Sequence, residues 1–109
     1  MQINFQQLRT IMKESRIPVF RDSAPTSVTY PYIEYEFVNE QHKRVSSKVL
    51  KSMPLYQIAV VTKGTESDYE PLKDVFNAHG VSYSQFEGFP YDENDATITQ
   101  FITRVRCVN

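Results

Sequence analysis

Tryptophan is absent from the 109 residues, glycine occurs three times and cysteine once. So few glycines argue against a Gly-rich phosphate loop or a flexible linker. The lone Cys107 has no internal disulfide partner and is too little for a zinc site, which points to a reducing compartment. No apolar run approaches the roughly 20 residues of a membrane span. The opening MQINFQQL has neither the basic head nor the apolar middle of a secretory signal. Charge of neither sign dominates: 12 Lys and Arg against 13 Asp and Glu leave a net charge of −1. No overall field therefore draws the chain toward nucleic acid or an anionic membrane. The expectation is a soluble protein made inside the cell, with no repeat or low-complexity segment.

What the chain does have is seven tyrosines, seven phenylalanines and 40% hydrophobic residues. That suffices for one core, and the length suits a single domain over 1–109. Asn4 to Ser15 is predicted as a helix: Asn4 and Gln7 fit a capping-box variant, and Phe5, Leu8, Ile11, Met12 and Ser15 share a face. RIPVFRDSAPTSVTYP, with three prolines, offers at most a short edge strand, Ile17 to Phe20.

YPYIEYEF, Tyr30 to Phe37, alternates. Ile33, Tyr35 and Phe37 are predicted to face the core, while Tyr32, Glu34, Glu36 and Val38 face the other way. LYQIAVVTK, Leu55 to Lys63, is apolar on both sides in its middle, which places it centrally. Between these strands, positions 40–54 are too long for an ordinary hairpin loop. Either the strands extend as a β-arm or the loop is mobile and has a task.

Thr65 to His79 reads as a second helix. It has acids and Pro71 in its first turn, a stripe of Tyr69, Leu72, Val75 and Phe76, and Gly80 just past its end. A short strand is expected over Ser82 to Phe86, then an acidic turn, then a last strand from Thr97 to Val108. In that strand Phe101, Val105 and Cys107 face one way, with Ile98, Ile102, Arg104 and Arg106 toward the other. The fold class is α+β: an antiparallel or mixed sheet of about four or five strands with two helices packed on one face.

Catalytic candidates are thin. His42 and His79 lack the spacing of a helical metal site or a neighbouring cysteine. Cys107 reads as a small core residue. Asp92, Glu93 and Asp95 lack the regular ligand positions of a calcium loop and read as a solvated turn. No nucleophile elbow or phosphate loop appears, so no enzymatic role, cofactor or metal is expected.

Two features remain. Residues 41–51 hold Lys43, Arg44, Lys48 and Lys51 with no acid, whereas residues 66–95 hold eight acids against Lys73. Complementary surfaces of that kind suit head-to-tail contact between copies; an ordinary solvated surface is the competing reading. The polar sheet face also mixes Tyr32, Val38, Ile98 and Ile102 with Glu34, Glu36, Arg104 and Arg106, in the manner of partner surfaces and of open sheets alike. Glutamates beside its tyrosines argue against nucleic-acid stacking there.

Across its whole length the chain resembles the tail-terminator, or tail-completion, proteins of long-tailed bacteriophages and prophages. The resemblance is carried by IPVFRDSAPTSVTYPYIEYEF, a basic insertion, YQIAVVTKGTESDYEPLKDVF and GFPYDENDATITQFITRVRC. It implies a structural virion protein, without substrate or cofactor, forming a hexameric ring at the head–tail junction after assembly in the bacterial cytoplasm. Such a ring caps the tail tube, stops its polymerisation and offers a docking surface to the head connector. The implied partners are further copies of the chain, the tail tube protein and the head connector or stopper protein, with DNA passing through the ring without sequence-specific contact. On this view Lys43, Arg44, Lys48, Lys51, Tyr32, Glu34, Glu36, Arg104, Arg106, Asp92 and Glu93 are the candidate interface residues. A head-side connector or stopper, and a regulatory protein-binding module outside the virion, are the alternatives.

Overall fold

Asn4 opens the first helix as its spacing from Gln7 predicts. The computed structural model describes residues 2–46 and 48–109, residue 49 by its backbone alone. Asn4 Oδ1 accepts from the Gln7 amide at 2.8 Å, and Gln7 Oε1 accepts from the Asn4 amide at 2.9 Å. Two otherwise orphaned donors are thereby satisfied. Helix α1 runs Phe5–Glu14 and buries Leu8, Ile11 and Met12.

Five strands follow the order β1-β2-β3-β5-β4, with β1 Val19–Arg21, β2 Tyr32–Val45, β3 Lys48–Thr62, β4 Glu87–Asp92 and β5 Asp95–Arg106. The sheet is mixed: β1 pairs parallel with β2, and the other ladders are antiparallel. β3 is central, as its two-sided apolar middle predicts.

β2 and β3 are 14 and 15 residues long, well beyond the usual five or six. They stay paired past the end of β5, from Glu40↔Pro54 out to Val45↔Lys48, with one register shift after Lys43. Of the two alternatives for positions 40–54, the chain takes the β-arm; position 47 lies outside the described residues.

Helix α2, Glu70–Ala78, packs on the same sheet face as α1. The predicted single helix from Thr65 is in fact two pieces, because Glu66–Tyr69 winds as a 3₁₀ turn ahead of Pro71. Its end is a full Schellman motif. Gly80, at φ 66°, donates to Asn77 O, and Val81 donates to Phe76 O at 2.9 Å. Leu8, Met12, Ile33, Ile58, Val60, Leu72 and Phe76 are fully buried between helices and sheet.

Three expectations need correction. Phe37 is 50% exposed, because β2 has by then run out from under the helices; its ring meets Tyr56 edge-on at 6.0 Å. Tyr32, assigned to the wet face, is buried. Together with Ala59, Val61 and Ile98 it forms a second apolar cluster flanked by Phe20, Ala24 and Val28. The strand expected over Ser82 to Phe86 is irregular backbone, and the ladder begins instead at Glu87. Phe86 leaves the sheet to stack on Tyr69, with ring centroids 4.2 Å apart.

Candidate assembly interface

The register fixes which ends of the molecule carry which charge. β5 meets β3 from Thr62↔Thr99 to Leu55↔Arg106, so its last residue lies at the root of the arm. Cys107 and Asn109 continue beside that root, donating to Pro54 O and Ser52 O at 2.8 and 2.9 Å. Beyond Ser52 the arm is two strands alone. The β4–β5 turn lies past the other end of β3, since Asp92 pairs with Asp95 four residues before Thr99. Lys43, Arg44, Lys48 and Lys51 therefore sit at one end of a molecule measuring 51 × 29 × 24 Å, and Asp92, Glu93 and Asp95 at the other.

All four arm cations are exposed. Lys43 and Lys51 are direct cross-strand partners. Like charges in that relation oppose pairing. Val45 and Leu50, 54% and 57% exposed, put apolar surface at the tip. Leu50 is the extra residue where the register shifts after Lys43, a bulge that disturbs the alternation there. Nearer the root, Glu40 holds the arm together by accepting from Ser52 Oγ and contacting His42 Nε2 at 2.6 Å. The Ser52 hydroxyl, then the His42 ring, keep Glu40 below the ordinary carboxylate range.

At the opposite end, Asp92 Oδ1 accepts from the Asn94 amide at 2.8 Å and Asp95 Oδ1 from the Thr97 amide at 2.9 Å, an arrangement that builds the tight turn. Thr97 holds Asp95 below its ordinary range, with a smaller contribution from nearby Lys63. Glu93 at the tip is exposed. Beside this turn lies a groove of about 390 Å³ lined by Gly88, Phe89, Pro90, Ala96, Ile98 and Thr99.

The open sheet face carries the remaining candidates, whose charges are linked through amide side chains. Gln57 stands between them: Arg104 donates to Gln57 Oε1 at 3.0 and 3.2 Å, and Gln57 donates to Glu36 at 3.2 Å. Arg106 donates to Asn39 Oδ1 and Met53 O instead. Glu34 is half-buried and occupied, accepting from the Ala24 amide at 2.6 Å and the Tyr91 hydroxyl at 2.9 Å. With Tyr32 buried, the sequence candidates fall into three groups: the arm, the acidic turn and a polar row.

The titratable residues weighed for chemistry are dispersed. His79 pairs with Glu14 at 2.9 Å, tying α2 to α1, while His42 is on the arm. Cys107 is buried, and burial pushes its thiol up to about 11. Among the described residues no group of three His, Cys, Asp or Glu side chains is placed to hold a metal ion. Sequence reading missed the exposed apolar tip and the groove at the far end. Val45 and Leu50 look like ordinary strand residues until the arm's reach is known.

No protein-family model matches the chain, and no curated protein matches it. Among solved structures, it is similar to a chain from one described as "Virion of native gene transfer agent (GTA) particle". The two are 13% identical, with a TM-score of 0.49, over 96% of this chain and 91% of that one.

Proposed function

We propose that the chain is a structural subunit of a phage or prophage particle, of the tail-terminator kind. It forms a ring on the end of the tail tube, ends tube polymerisation and presents a docking surface to the head connector. The observation that carries this reading is the paired-strand arm, bearing four cations at one end while an acidic turn occupies the other. A heterologous contact that closes into a ring needs two different, complementary surfaces on one subunit. Its chemistry is then shape and charge fit, without substrate or cofactor, at the head–tail junction. The whole-chain resemblance to tail-completion proteins supports the same placement.

The test replaces Lys43 to Lys51 with a short Gly-Ser turn and follows particle assembly by electron microscopy. The expected result is overlong tails or tails that never attach, with loss of binding to purified tubes. Normal head–tail joining with unchanged tube binding would refute the proposal. Binding to tail-less heads rather than to tubes would place the chain on the head side of the junction.

A further inference from the structure

Both ends of the long axis pair an apolar surface with a cluster of one charge. The arm combines Val45 and Leu50 with Lys43, Arg44, Lys48 and Lys51. The far end combines the groove beside Phe89, Pro90 and Ala96 with Asp92, Glu93 and Asp95. Phe89 is itself 44% exposed. Within one chain the two ends point away from each other and cannot meet.

We infer that the arm tip of one copy docks into the β4–β5 groove of the next, its cations against the acidic turn. This deepens the ring-subunit reading and rests on it for biological context, but the contact is a property of the chain itself. Two observations favour a second copy over another partner. The surfaces match in both apolar character and charge. Lys43 opposite Lys51 disfavours the free arm, and a neighbour's carboxylates would relieve that repulsion.

Sedimentation velocity on the full chain, at rising concentration in low and high salt, tests the contact. The expected outcome is self-association that weakens with salt. A Lys43→Glu/Lys51→Glu variant and an Asp92→Lys/Glu93→Lys variant should each associate roughly tenfold more weakly or less. Mixing the two should restore association, because each then offers the sign the other lacks. Leu50→Ser, an exposed change that leaves folding alone, should weaken association in low and high salt alike.

A wild-type chain that stays monomeric at millimolar concentration overturns the inference. So does a mixture of well-folded variants that fails to associate, or an arm that binds duplex DNA while the chain does not self-associate. The assay contains no particle, so its failure is separate from that of the tail reading, which is tested by the tube-binding and particle-assembly experiment above.

Discussion

The phenol of Tyr91, on the edge strand β4, donates a 2.9 Å hydrogen bond to Glu34 on β2, with β3 and β5 lying between those strands. The other oxygen of the same carboxylate accepts from the Ala24 amide. One side chain thus ties an edge strand and the segment before β2 over the second apolar cluster. Glu34 looked like a surface charge from the alternation alone; its role in the fold is that of a clasp.

Tyr91→Phe should lower stability by about 1 kcal/mol, and Glu34→Ala by about 2 kcal/mol, since the latter removes two hydrogen bonds at once. Urea denaturation measures both. Equal effects of the two changes would mean that the Ala24 contact contributes nothing.

Phe76 is fully buried between α2 and the sheet, touching Tyr83 at a centroid distance of 5.5 Å. Phe76→Ala should cost about 3–5 kcal/mol through lost burial and the cavity left behind. Asn4→Ala should cost about 1 kcal/mol by removing one half of the capping box. Thermal melts of the two variants give the comparison, and similar losses would contradict the burial argument.

These residues show how far sequence reading reaches. Capping spacing, helical stripes and two-sided apolarity are local signals, so α1, α2, the central β3 and the two-helices-on-one-sheet layering were all readable. Phe37 and Tyr32 were misplaced because alternation gives the face of a strand but not how far the covering elements extend. The arm was visible as an anomalous connection, with its form left open. Its partner surface was not visible, because Phe89, Pro90 and Ala96 acquire meaning only when the β4–β5 register sets them beside Asp92 and Glu93.

Cys107 should resist thiol reagents near neutral pH in the native chain and react on unfolding, since burial pushes its thiol up to about 11 from 9.0. The same shift makes stability depend on alkaline pH. The folded state favours the protonated thiol, so its contribution is complete below about pH 9 and is lost as pH rises toward 11. Tyr91, also raised by burial first and then by its bonds to Tyr32 and Glu34, adds a loss that begins above its ordinary 10.0. Denaturation midpoints should therefore fall above pH 9, and Cys107→Ala should flatten the first part of the decline. An identical pH profile in that variant would assign the decline to the tyrosines alone.

Lys43→Glu separates the arm's own order from its use. A carboxylate at position 43 would face Lys51 directly, turning a repulsive cross-strand pair into an attractive one worth about 0.2–1 kcal/mol. Amide exchange along the outer arm should slow, while global stability stays within about 0.5 kcal/mol because the site is exposed. Association between copies should nevertheless weaken, since one of the cations that meets the acidic turn is reversed. Faster exchange would show that the opposed lysines do not strain the arm. Slower exchange with stronger association would show that the arm works through rigidity rather than through its positive charge.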